Sequence, residues 1–95
     1  MKTYKIGELF CGPGGIALGA DIANRSLKKF TKNKLSHAWA VDYHKDSVET
    51  YLKNIKGASN TSVICKDVRN VSLEQLKSIS KTIDGFAYGF PCNDF

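Results

Sequence analysis

Hydrophobic and polar positions alternate between two periods along this chain. Residues 4–10 (YKIGELF) read as a first strand that leads straight into a glycine-rich turn. Ile16, Ala20, Ala23, Leu27 and Phe30 then recur at helical spacing and predict a helix with one apolar face. Residues 36–41 (SHAWAV) predict a second strand ending at Asp42. Val48, Tyr51, Leu52 and Ile55 supply the i, i+3, i+4, i+7 face of a second helix, and Asp46 with Glu49 has capping-box spacing at its start. Residues 62–65 (SVIC) predict a short third strand leading to Lys66 and Asp67. Ser72 with Gln75 repeats the capping-box spacing and opens a helix on Leu73, Leu76 and Ile79. Residues 84–90 (DGFAYGF) form the fourth predicted strand, with Cys92 just beyond its carboxyl end. Between these elements, residues 28–34 (KKFTKNK) read as a solvated connection and residues 57–61 (GASNT) as a turn.

The order β-α-β-α-β-α-β predicts an α/β fold, a parallel sheet with right-handed crossovers and helices on both faces. Ligands of such sheets sit outside the carboxyl ends of the strands. Every unusual residue of the chain falls on that edge: Gly12 to Gly15, Asp42, Asp67 and Cys92.

Composition narrows the class. Ninety-five residues make one small domain, and 42% apolar with 24% charged residues is ordinary globular composition. A net charge of +5 is compatible with a polyanionic partner without requiring one. The cysteines, Cys11, Cys65 and Cys92, are odd in number and follow no signal-like start, which predicts a reducing, intracellular setting. No CxxC or His-Cys cluster points to zinc, and no stretch is long enough to span a bilayer.

Gly12-Pro13-Gly14-Gly15-Ile16-Ala17 fits G-x-G-x-x-G/A between a strand and a helix, where the backbone turns tightly and a ligand approaches without a Cβ in the way. Asp42 sits where a carboxylate accepts from ribose hydroxyls, and Tyr43 beside it has a face on which adenine can stack. Asp67 is placed to accept from an adenine amino group, or simply to form a turn. These residues suit a dinucleotide and S-adenosylmethionine equally, since both contain adenosine. Cys92 separates the two. A dehydrogenase of this architecture has no evident need for a thiol there, whereas methylation of cytosine C5 requires prior attack at C6.

"ELFCGPGG", "AVDYHKD", "CKDV" and "GFPCNDF", in this order and spacing, resemble the first four motifs of the DNA (cytosine-5) methyltransferases. The resemblance runs from Tyr4 to Phe95. It implies a Rossmann-like S-adenosylmethionine-dependent methyltransferase fold, of which residues 1–95 hold the first half. Phe10, Gly12, Pro13, Gly14 and Gly15 resemble the loop that holds the cofactor. Asp42 matches the ribose-binding acidic position, Tyr43 the aromatic stacked on adenine, and Asp67 with Val68 the pair bordering the adenine ring. Pro91 and Cys92 match the Pro-Cys of the catalytic loop, with Pro91 at the cofactor side and Cys92 as nucleophile.

The resemblance further implies double-stranded DNA as substrate, with the target cytosine flipped out of the helix. Restriction-modification and a cytoplasmic, nucleoid-associated location go with it. The family's later glutamate, its base-holding arginine and its target-recognition region are absent from residues 1–95. The chain therefore reads as the amino-terminal third or so of such an enzyme, inactive alone, with the remainder a candidate partner chain. A transfer-RNA cytosine-5 methyltransferase of the same family and a non-catalytic fragment that binds cofactor or partner are the alternatives.

Overall fold

Strands and helices alternate throughout residues 2–89, which the computed structural model describes. In chain order they are β1 (Thr3–Leu9), α1 (Gly15–Leu27), β2 (Lys34–Asp42), α2 (Lys45–Asn54), β3 (Val63–Cys65), a 3-10 turn at Val68–Asn70, α3 (Leu73–Ile79) and β4 (Gly85–Tyr88). The strands form one parallel sheet in the order β3-β2-β1-β4. The chain winds outward from β1 to β3, then returns to add β4 on the other side of β1. The carboxyl ends of β1 and β4 are thus a topological switch point, the place where open sheets bind ligands.

β1 and β2 hold the sheet together, and their register slips once, between Ile6 and Gly7. Beyond the slip Gly7 pairs with Trp39. A Cβ on Gly7 would run into the Trp39 indole, so the glycine is what lets Trp39 pack against β1. Lys34 pairs with Thr3, which carries β2 two residues further toward its start than its apolar run predicts.

Each face of the sheet has its own core. On one, Cys11, Ala40, Val63, Val48, Tyr51 and Ile55 are buried together, with Ala17 and Leu52 packed against them. On the other, Trp39, Val41 and Ile64 are covered by Val68, Val71, Leu76 and Ile79. The predicted faces of α2 and α3 therefore hold, apart from Leu73, which is exposed.

Two local expectations are corrected. The start of α2 is capped by His44, whose ring accepts from Ser47 N, and not by an Asp46–Glu49 box; the chain enters the helix two residues earlier. The single apolar face predicted for α1 is not buried: no residue of α1 is, and Ile16, Leu27 and Phe30 are exposed. Ala17 docks α1 on the core, and the Asn24 amide clamps the backbone of Leu35 from both sides at 2.7 and 2.9 Å. The predicted strand end at Phe90 lies outside the described residues.

Candidate functional site

The chain leaves β1 through a strained turn. Phe10 has φ 55°, Gly12 57° and Gly14 105°. Left-handed backbone is expensive for a residue with a Cβ, and such strain concentrates at binding sites. The turn is held by its neighbours. Cys11 N donates to Val41 O at 3.2 Å, Gly14 N to Cys11 O at 3.3 Å, and Gly12 N to Asp42 Oδ2 at 2.6 Å. The glycines have different tasks. A Cβ on Gly14 would press on Ile55 at 3.0 Å and on Tyr51, so Gly14 packs the turn onto α2. Gly12 and Gly15 have nothing within 4 Å of that position, which leaves open space beside their backbone. Cys11 lies beneath the turn, where burial, and then the charges of Glu8 and Asp42, push its thiol up to about 12. It packs as a neutral thiol.

Asp42 ends β2. Its Oδ2 receives Gly12 N and its Oδ1 receives His44 N at 3.0 Å, so one carboxylate ties the glycine turn to the entry of α2. Each oxygen keeps acceptor capacity beyond the one bond it makes. Tyr43 beside it is 69% exposed, its ring free to offer a face. Asp67, after β3, caps the 3-10 turn through Arg69 N and is gripped by the Arg69 guanidinium at 2.7 Å. These side-chain bonds from Arg69, then the backbone bond, hold the Asp67 carboxyl at about 2.

Phe10, Asp42, Tyr43, Asp67 and Val68 come together around one cavity of about 120 Å³, with Val41 and Lys66 completing its wall. Three chain segments contribute to it, and all of them lie on the carboxyl edge. Gly12, Pro13, Gly14 and Gly15 stand in the adjoining turn and do not line the cavity. Lys66 was not anticipated; a cation next to Asp67 is its only sequence signal. Pro91 and Cys92 lie outside the described residues.

A second polar assembly has no motif in the sequence. Tyr51 Oη donates to Glu8 Oε1 at 3.0 Å, His37 Nδ1 is 3.1 Å from Tyr51 Oη, and His37 Nε2 is 2.7 Å from Ser62 Oγ. With the Tyr51 proton directed to Glu8, its oxygen accepts from His37 Nδ1–H, and Ser62 donates to Nε2. That tautomer is neutral, in keeping with burial lowering the His37 pKa. The one available signal was a glutamate inside an apolar strand.

The described residues thus build the first half of a Rossmann-like α/β domain with its ligand edge at the ends of β1, β2 and β3. The particular family follows from the sequence as a whole: the chain belongs to the C-5 cytosine-specific DNA methylases, which it matches over residues 4–95. It is similar to the Type II methyltransferase M.BbvI of Brevibacillus brevis, with 44% identity over 96 residues. That alignment covers 100% of this chain and 25% of the relative, so the chain spans about a quarter of the relative's length. No solved structure matches it. No helix among the described residues is long and apolar enough to cross a membrane.

Proposed function

We propose that residues 1–95 are the amino-terminal, cofactor-binding part of the catalytic domain of a DNA (cytosine-5) methyltransferase of the restriction-modification type. The observation that carries this reading is the convergence of Phe10, Asp42, Tyr43, Asp67 and Val68 on one cavity beside the glycine turn. S-adenosylmethionine fits this donor set. Asp42 retains acceptor capacity for ribose hydroxyls, Tyr43 offers an aromatic face, and Gly12 and Gly15 leave room beside their backbone. Val68 borders the adenine. Asp67, kept ionised by Arg69, accepts from the adenine amino group.

The cofactor supplies, when bound, a methyl group that an electron-rich carbon can take. Cys92 makes such a carbon. Its thiolate adds to C6 of a cytosine flipped out of duplex DNA, and the C5–C6 π electrons move onto C5. After C5 has been methylated and has given up its proton, the C6–S bond breaks and the thiolate leaves. The net positive charge of the chain suits the DNA backbone. The acid that assists the ring and the surface that reads the target sequence belong to the rest of the enzyme, in the same polypeptide or in a separate chain, acting in the cytoplasm where the DNA lies.

The test is made on the complete enzyme with labelled S-adenosylmethionine. Cys92→Ser should lower methyl transfer by a factor on the order of 10³ or more, as loss of a covalent nucleophile does, and leave cofactor binding nearly unchanged. Residues 1–95 alone should transfer none. Turnover retained by the serine variant, or cofactor affinity lost with it, would show Cys92 to be something other than the nucleophile.

A further inference from the structure

Tyr51 of α2 is 1% exposed, and its hydroxyl sits between two partners. Oη donates to Glu8 Oε1 at 3.0 Å and stands 3.1 Å from His37 Nδ1. His37 Nε2 continues the chain to Ser62 Oγ at 2.7 Å, and Ser62 Oγ accepts from Ser59 N at 3.0 Å. Burial, and then the charge of Glu8, push the Tyr51 phenol up, so Oη keeps the proton it donates. The carbon edge of the same ring reaches the glycine turn: a Cβ on Gly14 would stand 3.1 Å from Tyr51 Cδ2.

One side chain thus meets β1 at Glu8, β2 at His37 and the turn at Gly14, and through Ser62 the residue that precedes β3. Phe10, Asp42 and Asp67 follow or end these same strands and line the cavity of about 120 Å³. Glu8 stands two residues before Phe10 and pairs with Ala40, two residues before Asp42. Packing alone needs no hydroxyl at Tyr51. Glu8 is 4% exposed, on a groove of about 940 Å³ that Ile6, Ile16 and Ala87 also line and that is open beside α1. Its Oε2 has no hydrogen-bond partner among the described residues, so the bond from Tyr51 to Oε1 is what offsets its desolvation. An apolar pair of the same shape would cost no more. What the polar pair adds is direction. A hydrogen bond holds only over a narrow range of distance and angle, so it fixes how far α2 stands from β1 and where the ring lies against Gly14.

We propose that Tyr51 is a positioning residue for cofactor binding: its hydroxyl, bonded to Glu8, holds its ring against Gly14 and so keeps residues 10–15 in the conformation the cofactor meets. This rests on the reading that S-adenosylmethionine lies beside that turn. Tyr51 does not line the cavity and acts through Gly14 and Glu8. The turn needs such support because Phe10, Gly12 and Gly14 all have positive φ. Backbone of that kind persists at a residue with a Cβ, as at Phe10, only where the surroundings over-determine it. With the hydroxyl gone, the binding-competent turn is a smaller fraction of the population, and the apparent dissociation constant rises by that fraction. Glu8→Gln preserves the arrangement, since an amide oxygen accepts from Tyr51 as a carboxylate does.

The experiment uses the complete enzyme and compares Tyr51→Phe, Glu8→Ala, Glu8→Gln and the Tyr51→Phe/Glu8→Ala double variant. Tyr51→Phe keeps the ring and loses the hydroxyl. It should weaken S-adenosylmethionine binding in calorimetry by roughly 3- to 30-fold, the range for residues that act on a site through others. KM for the cofactor should rise by the same factor, and kcat at saturating cofactor should change less. Glu8→Ala should weaken binding as much, and the double variant no further, because all three lack one and the same bond. Glu8→Gln should recover most of the loss. In cofactor-free protein, the amides of Cys11, Gly12 and Gly14, which are bonded to Val41, Asp42 and Cys11, should exchange faster in Tyr51→Phe relative to those of β2. A tyrosine that serves stability alone would lower the melting temperature and leave both the affinity of the folded enzyme and the relative exchange of the turn unchanged. That result, or additive losses in the double variant, would overturn the proposal. If Glu8→Ala fails to fold, Tyr51→Phe still decides through binding and turn exchange. A wild-type enzyme that bound no S-adenosylmethionine would sink the functional reading, and the exchange of the turn would then judge Tyr51 separately.

Discussion

Asp42 illustrates how one carboxylate joins structure to function. It receives Gly12 N and His44 N, and so fixes the turn beside which a cofactor would lie. Asp42→Ala should therefore weaken S-adenosylmethionine binding by roughly 10- to 100-fold, the worth of charge-assisted hydrogen bonds, as measured by calorimetry on the complete enzyme. Unchanged affinity would remove Asp42 from the site. Glu8 has the opposite character, since no hydrogen-bond donor among the described residues reaches its Oε2. Its folded pKa lies above 4.5, raised by burial and only partly offset by Tyr51. The sign follows by linkage: a carboxyl raised on folding favours the fold below its unfolded pKa, and that contribution is lost as pH rises through the folded value. Stability of the isolated chain should thus fall above pH 4.5 by an amount that Glu8→Gln removes. Parallel denaturation curves for the two proteins at every pH would contradict this.

Among the elements, what the sequence made legible was whatever the elements settle locally or between close neighbours. The α2 face reads correctly because Val48, Tyr51 and Ile55 are covered by β2 and β3, the strands on either side of it in the chain. The Ser72 cap reads correctly because its bond to Gln75 N spans only three residues. The candidate site residues stand out in the sequence for a different reason. Left-handed glycines and strand-end carboxylates are unusual in themselves, and topology gathers them on one edge. Features that depend on distant partners were not legible. Ile16, Leu18, Ile22 and Leu27 of α1 are exposed because residues 2–89 do not cover them. His37 and Glu8 acquire meaning only when folding brings Tyr51 and Ser62 to them. The slip between Ile6 and Gly7 is likewise set across strands, by the indole of Trp39 lying over Gly7. Gly7→Ala puts a methyl group into that ring and should destabilise the chain by about 1–3 kcal/mol, the usual range for overpacking. A denaturation midpoint unchanged by the substitution would mean that Trp39 has another place to go.

At the scale of the whole molecule, cover falls off from β2 toward β4. Ala40 and Val41 of β2 are 0% and 1% exposed, whereas Phe86 and Tyr88 of β4 are each 55% exposed. β4 pairs with β1 alone among the described strands, and its two faces are the groove of Ile6 and Glu8 on one side and the Phe86–Tyr88 pair on the other. Local opening free energy follows buried contact, so regions of one fold unfold at different costs. In residues 1–95 alone, β2 amides should exchange slowest, and those of α1 and β4 fastest among the regular elements. In the complete enzyme the same α1 and β4 amides should gain protection selectively, because what is added covers their open sides and not the interior around β2. Hydrogen exchange read by mass spectrometry distinguishes this from a uniform effect. If the whole sheet slowed by one common factor, the 95 residues would open as a single unit and the gradient of cover would have no energetic counterpart. If α1 exchanged as slowly as β2 in the short chain, its exposed Ile16, Ile22 and Leu27 would already be shielded there, and the open groove would not exist in solution.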